Sequence, residues 1–484
     1  MSRCTGLGGA LVLTVAVWAA GPARAETLTE AIALAYQSNP ALQSQRAQLR
    51  ASDEDAVQAR AGFRPTISAE ASTQYARGPQ SSFFSGPVET QSNQARAALS
   101  VDQTLYSGGR VTARLDEAQA QIRSDRERLR GVEASVLQSV VKAYDDVLRD
   151  RADLALYRES LAALTDAVKE IHARHDAGAN TVTDVAQAEA QLSVAEALVT
   201  SAQGQLEASV ADYVAAVGQS PGALVAPAPL AGLPADLDRA LSIAEDESPT
   251  IRQARFADAV NQARVDQARA GGRASLSLNG VLGYAGTAVP FDRHNYNSDV
   301  TVSATLRQPL FAGGSIASQV RQASELESST RLQIDLARRS VIQAVSQAWS
   351  QRRAAQLNLV SAQTEVSASQ AAFDGMRVEY RAGLRSTLDV LIAQQTLRNA
   401  QITQSHADHD QKLAEAALLA AVGRLEARMQ APEAVAYSRQ SLTPVDRIGA
   451  SPWDILPQAL DRVPSPSLDL PLPPLNAGRP HTTP

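Results

Sequence analysis

The sequence predicts a mainly α-helical protein with a smaller β component, built from two tandem repeats. Each repeat is predicted to contain a β-hairpin and a long coiled-coil helical hairpin. Three observations support this fold class: an internal duplication, period-two segments in each copy, and heptads sustained over tens of residues. Aromatic residues make up only 4% of the 484 residues. That scarcity favours thin helix-on-helix packing over thick globular cores.

The duplication covers most of the chain. The matching segments are 28–35 with 237–244, 105–109 with 310–314, 177–185 with 382–390, and 216–218 with 421–423. The offset is about 209 residues at the first match and about 205 at the later ones, which is too long for a solenoid repeat. The sequence therefore predicts a first repeat over 26–225 and a second over 226–430.

Short alternating segments follow the first helical residues of each copy, after Pro40 and Pro249. Apolar and polar residues alternate within about 64–106 and 274–311, which indicates strands with one apolar and one polar face. Loops rich in Gly, Pro, Ser and Asn separate the strands of each pair. Paired glycines close each segment and are predicted to form strand-to-helix turns: Gly108, Gly109, Gly313 and Gly314.

Very long helical patterns begin after the paired glycines, over about 112–176 and 317–380. Roughly 65 helical residues span about 97 Å, which no globule requires. Val140, Val147 and Leu154 lie seven residues apart, and Val345 continues the same register in the second copy. Sustained heptads predict coiled-coil packing. Returning helices reach about 217 and 422, and the hairpin turns are predicted at two glycines, Gly178 and Gly383.

The N-terminus resembles a cleaved signal peptide over residues 1–25. Arg3 precedes an apolar stretch, and Ala23 and Ala25 fit the small-x-small cleavage rule. The alternative is a membrane anchor, but roughly 14 apolar residues are too few to span a bilayer comfortably. Cleavage would remove Cys4, the one cysteine, and leave no disulfide, cysteine metal site or cysteine nucleophile.

The remaining chain suggests where the protein can act. No later stretch reaches 18 apolar residues, so a membrane crossing would have to use strands. Four strands cannot close on themselves, and lipid does not tolerate open sheet edges, so the strands either lie on a soluble surface or are completed by other chains. The Pro-rich tail, 431–484, is predicted to be extended or disordered, with at most short local structure.

Several function classes are disfavoured by composition and motifs. The net charge of −6 offers no basic surface for nucleic acid. No common nucleotide-binding, zinc-protease or serine-hydrolase motif is present, so we predict no catalytic site and no cofactor. The pairs His172/His175 and His406/His409 have a spacing that can bind metal. Solvated helix faces are the commoner use of such pairs, and we predict no metal site.

The order of elements, the duplication and the Gly-Gly turns together resemble the TolC family of outer-membrane channel proteins, over roughly 26–430. The resemblance implies a homotrimer in the outer membrane of a Gram-negative bacterium, with a 12-stranded transmembrane barrel and an α-helical tunnel in the periplasm. It implies a passive exit duct supplied by a periplasmic adaptor and an inner-membrane ABC or proton-driven transporter. A type I secreted protein and small molecules, as in multidrug efflux, both stay open as cargo. The alternative class is a periplasmic coiled-coil adaptor, which would usually carry one helical hairpin.

The resemblance also implies a gate where the hairpin tips meet. Matched by position from the turn glycines, the latch maps to Asp184 on the first hairpin and to Tyr380 and Arg385 on the second. The alternative is ordinary surface charge near a helix turn. Asp389 maps to a pore-lining acidic ring. A second acidic residue is expected one turn later, but Ile392 stands there, so we predict a ring with one acidic layer.

Overall fold

The computed structural model describes residues 26–82, 86–178, 181–288, 293–432 and 461. The predicted signal peptide and most of the predicted disordered tail lie outside the described residues. In the first repeat the elements are α1 (Leu28–Ser38), α2 (Pro40–Ala61), β1 (Thr66–Ser82), β2 (Gly86–Tyr106), α3 (Arg110–Asp176) and α4 (Val182–Val217). In the second they are α5 (Leu237–Glu247), α6 (Pro249–Ala270), β3 (Ser275–Thr287), β4 (Asn297–Arg307), α7 (Ser315–Arg381) and α8 (Thr387–Val422), followed by α9 (Ala427–Gln430).

The two repeats therefore have the same order of elements, and the predicted fold class is confirmed. Local sequence explains the breaks between helices. Pro40 and Pro249 occupy the first turn of α2 and α6, where a missing backbone N–H costs nothing. Thr27 caps α1 through a reciprocal capping box with Glu30.

The four strands form one antiparallel sheet in the order β1-β2-β3-β4, so β2 and β3 join the two repeats. The register places apolar residues side by side across all four strands, in rows such as Ala69, Leu99, Leu282 and Val300. Ser68, Ser100 and Thr301 lie on the opposite face. The apolar face is uncovered in the single chain, where Val300 is 73% exposed. A sheet of this kind needs an apolar environment that this chain alone does not supply.

The long helices pair as α3 with α4 and α7 with α8. Helix α3 also lies between α2 and α6, whereas α6 lies between α3 and α7. The heptad residues Val140, Val147 and Leu154 are buried, as the period of seven predicts. Within the described part of the chain, no helix combines the length and apolarity needed to cross a bilayer.

The two long helices have equal lengths but unequal surroundings. Helix α3 buries 23 of its 67 residues, whereas α7, also 67 residues long, buries only five. Leu332, Leu336 and Leu357 on α7 are all more than half exposed. One side of α7 therefore has no neighbour among the described residues.

Candidate functional site: the hairpin tips and the joint between hairpins

Both helical hairpins turn through the same backbone geometry. Gly178 and Gly383 each have φ of +77°, a left-handed conformation that glycine adopts without a steric penalty. Thr181 and Ser386 then begin α4 and α8 as N-caps. The predicted hairpin-turn glycines thus serve equivalent turns in the two repeats.

Asp184 and Asp389 hold equivalent positions just inside the helices that leave these turns. The Oδ2 atom of Asp184 accepts hydrogen bonds from the Thr181 N–H and Oγ1, both at 2.9 Å. The Oδ2 atom of Asp389 accepts from the Ser386 N–H at 3.0 Å and from its Oγ at 2.9 Å. Backbone and then side-chain hydrogen bonds from the capping residue lower the pKa of each aspartate.

These capping boxes are a structural role that our sequence interpretation missed. The signal was present, because a Ser or Thr stands three residues before each aspartate. A capping carboxylate stays ionised and fixed in place, so the same aspartates can also act on a partner at the tip.

At the hairpin tips, Tyr380 makes a contact that crosses from the second hairpin to the first. Its hydroxyl donates a hydrogen bond to Glu170 Oε1 at 2.8 Å. Arg174 pairs with the same Glu170 oxygen at 2.6 Å, and its guanidinium lies 5.3 Å from the centre of the Tyr380 ring. Glu170 and Arg174 were not among the predicted site residues. The i, i+4 spacing of Glu170 and Arg174 is visible in the sequence. The contact of Tyr380 with Glu170, 210 residues away, is not.

Arg385 pairs within its own hairpin, through Nε to Glu379 Oε2 at 2.8 Å. The Glu379 hydrogen bond and charge raise the pKa of Arg385. Among the described hydrogen bonds and ion pairs of this single chain, none joins Asp184 to Tyr380 or Arg385. The three-residue latch therefore stays a prediction, and the contact formed within the chain runs from Tyr380 to Glu170.

A second cluster of charges lies farther from the hairpin tips, where α3 meets α8. His409 Nε2 lies 2.8 Å from Asp146 Oδ1, with both side chains 8% exposed. Arg149 Nη1 contacts the same Asp146 oxygen at 3.1 Å, and His406 Nε2 lies 2.7 Å from Asp153 Oδ2. The expectation that the second histidine pair lies on a solvated face is thus wrong for His409. No group of three or more potential ligands in the described ranges is arranged to hold a metal.

Burial gives the cluster unusual protonation properties. Burial opposes protonation of His409, but hydrogen bonds to Asp146 and Asp410 outweigh it and raise the pKa. Burial likewise acts against ionised Asp146, yet its hydrogen bonds to His409 and Lys142 lower the pKa to about 2. For Asp145, burial raises the pKa to about 6, only partly offset by Lys412 at 3.6 Å. In the part of the chain that the structure describes, neither Asp145 oxygen has a hydrogen-bond partner.

The two strand-to-helix turns also differ in their surroundings. All four turn glycines have positive φ, between +60° and +89°. A Cβ on Gly108 would meet Arg273 Cβ at 2.8 Å and the Ala274 carbonyl at 2.9 Å, whereas one on Gly313 would meet nothing within 4 Å. The first turn is packed within the chain, and the second is open.

Comparison with known proteins agrees with this architecture. The family model described as "Outer membrane efflux protein" matches residues 31–219 and 240–424, which are the two repeats. The chain is 32% identical to the outer membrane efflux protein BepC of Brucella suis, over 87% of this chain and 90% of the relative. It is 26% identical to the outer membrane protein TolC of Vibrio cholerae, over 85% of this chain and 93% of the relative.

A solved structure shows the same fold at lower identity. The CmeC outer membrane channel of Campylobacter jejuni superposes with a TM-score of 0.74 at 15% identity, over 86% of this chain and 89% of that one. The two repeats, the four-stranded sheet and the helical hairpins agree with the family match. The chain belongs to the outer membrane efflux protein family and is an exit duct of the outer membrane.

Proposed function

We propose that three copies of this chain assemble into one duct, with four strands from each copy in a 12-stranded barrel and the long helices in a periplasmic tunnel. The observation that carries the proposal is the uncovered side of α7. Besides its hairpin partner α4, helix α3 packs against both α2 and α6. Its counterpart α7, which pairs with α8, packs against α6 but not against α2. Because α2 is the counterpart of α6, α2 of the next copy fits the vacant side.

The sheet supports the same assembly. Strands β1 and β4 are its edges, and their unpaired backbone groups need partners inside a membrane. Pairing β4 of one copy with β1 of the next closes the sheet. Two copies would give an eight-stranded barrel, and side chains fill the interior of a barrel of that size. Twelve strands from three copies leave an open lumen. The resemblance to the TolC family implies the same number.

The partners follow from the passive character of the duct. The described residues offer long helices and shallow grooves rather than a catalytic pocket, and we propose that the chain catalyses no reaction. Energy and cargo then come from an inner-membrane ABC or proton-driven transporter, through a periplasmic adaptor that meets the hairpin tips. Co-purification of the trimer with an adaptor from crosslinked cells tests this arrangement. An adaptor that crosslinks to the sheet end and never to the tips contradicts it.

We also propose that the tips form the gate, closed by Tyr380 on Glu170 and by Arg385 with Asp184 where copies meet. Tyr380→Phe combined with Arg385→Ser is expected to raise the single-channel conductance in planar bilayers. The reason is that both changes remove polar interactions that would hold the tips together, but keep the turn glycines and the capping boxes.

Lys169→Gln is the matched control, because Lys169 pairs with Asp166 on the same helix near the same tip and crosses to no other hairpin. Its conductance should equal that of the unaltered chain. If the double variant also conducts like the unaltered chain, these residues are not the gate.

Asp389 is proposed to give the pore one ring of three carboxylates, since Ile392 replaces the second acidic layer. Asp389→Asn should reduce the preference for cations, measured as the reversal potential across a salt gradient. Asp184→Asn is the comparison, because it makes the same change in the equivalent capping box of the other hairpin. An equal shift of the reversal potential in both variants would show that Asp389 contributes no more to cation preference than Asp184.

A further inference from the structure

One residue of the C-terminal tail is held at the strand-to-helix turn of the first repeat. Asp461 Oδ1 accepts from the Ser107 N–H at 2.7 Å and from the Gly109 N–H at 3.1 Å. Its Oδ2 accepts from the Thr112 N–H at 3.3 Å and from the Thr112 Oγ1 at 2.8 Å. The Ser107 hydroxyl lies 2.8 Å from both oxygens. Asp461 is only 5% exposed.

The turn is shaped to receive a carboxylate. Gly108 and Gly109 have φ of +70° and +89°, and at this turn the N–H groups of Ser107, Gly109 and Thr112 all reach the Asp461 carboxylate. Gly109 is the N-cap of α3 and Thr112 lies in its first turn, and the dipole of this 67-residue helix favours an anion at its start. Burial alone would raise the pKa of Asp461, but the bonds from Ser107, Gly109 and Thr112 lower it. The bound carboxylate is therefore ionised at neutral pH.

The duplication supplies an internal comparison. The turn of the second repeat has the same glycines, Gly313 and Gly314, but Ala312 stands in place of Ser107 and Ala317 in place of Thr112. Both hydroxyl donors are missing from that copy. The receptor chemistry is therefore particular to the first repeat, although the backbone fold of the two turns is shared.

The path of the tail is consistent with this position. Glu426, just before the tail, pairs with Arg130 of α3 at 2.6 Å. Residue 130 and the turn at residue 109 are separated by roughly 32 Å along α3, at 1.5 Å per helical residue. The stretch between Glu426 and Asp461 is long enough to cover that distance.

We propose that the first strand-to-helix turn is a receptor for the C-terminal tail of the chain, with Asp461 as the docked side chain. The tail is thereby anchored where the sheet meets the helices. In an assembly of several copies, each first-repeat turn then carries a tail. Each second-repeat turn is left for contacts between copies.

Trypsin gives a direct readout, because Arg462 follows the docked residue and Arg447 lies earlier in the same tail. The measurement is the ratio of cleavage after Arg462 to cleavage after Arg447 in the full folded chain, by mass spectrometry. Asp461→Ala should raise this ratio about tenfold, which corresponds to about 1.4 kcal/mol of lost docking. Ser107→Ala with Thr112→Ala, which gives the first turn the residues of the second, should raise it similarly.

Two controls make the result specific. Asp469→Asn removes another tail carboxylate, and Ser318→Ala removes a hydroxyl from the first turn of α7. Both should leave the ratio unchanged. A ratio unaffected by both the Asp461 and the turn variants overturns the proposal. So does an equal rise in the control variants.

Discussion

Gly313→Ala should leave the folded protomer nearly intact but sharply reduce its assembly, whereas Gly108→Ala should destabilise the protomer itself. Both glycines have positive φ, at +60° and +70°, so each alanine carries a backbone strain of about 1–2 kcal/mol. Only at Gly108 does the added Cβ also meet atoms of the same chain, below 3 Å. A buried overlap of that kind adds about 1–3 kcal/mol.

The effect at Gly313 depends on the neighbouring copy. The first turn packs on residues 270–274, and by the duplication the second turn should pack on residues 61–65 of the next copy. In the proposed trimer, a Cβ at Gly313 would then meet the neighbouring copy once at each interface. The exposed Leu310 and Phe311, 87% and 89% accessible in the single chain, lie beside the same contact.

The measurements separate the two effects. Refolded protein in detergent is followed by helical circular dichroism for folding and by light scattering for the trimer fraction. Gly280→Ala is the control, because its φ is not left-handed and its Cβ would meet nothing within 4 Å. A Gly313→Ala chain that trimerises as well as the Gly280→Ala chain contradicts the proposed interface.

Periodicity explains why the fold could be predicted from the sequence. Strands and coiled coils each repeat a local pattern, and because the chain is duplicated, each element could be predicted independently from two copies. Helix α3 accordingly begins at Arg110, close to the predicted start at about 112. The burial of Val140 and Val147 follows from the heptads alone.

The site was less predictable because its contacts join distant segments. Nothing in the spacing of Tyr380 indicates Glu170, and nothing in the tail composition singles out Asp461. Asp145 and Asp146 are adjacent buried aspartates on α3, and which of them pairs with His409 depends on how α8 lies against α3. The capping role of Asp184 and Asp389 was readable from Thr181 and Ser386, three residues earlier, but was missed. The pore role proposed for Asp389 came only from the resemblance to the family.

The joint between α3 and α8 should make stability depend on pH, with an optimum near pH 4 and a decline from there towards pH 8. Asp145 has a pKa of about 6 against an ordinary value of 3.8, so its contribution is complete below 3.8 and lost as pH rises through 6. His409 has a raised pKa, so its contribution is also lost as pH rises, through a value above 6.5. Asp146 acts oppositely, and its contribution is lost only as pH falls through about 2.

The charged and polar groups of the joint around Asp145 and His409 come from three helices. They are Lys142, Asp146, Arg149, Asp150 and Asp153 on α3, Ser209 on α4, and His406, Asp408, Asp410 and Lys412 on α8. The positive groups mostly bind Asp146 and Asp150, which leaves Asp145 with one distant ammonium group. Ionised Asp145 is thus the poorly compensated charge of the joint.

Asp145→Asn should therefore stabilise the protein at pH 8, by up to about 3 kcal/mol, and change little at pH 4. Urea unfolding followed by helical circular dichroism at both pH values measures this difference. His409→Gln should remove the part of the decline that lies above pH 6.5 and lower stability at pH 5, where the imidazolium pairs with Asp146. Asp166→Asn, on an exposed part of α3, should leave the profile as it is. If Asp145→Asn keeps the same difference between pH 4 and pH 8 as the unaltered chain, the pH dependence arises elsewhere.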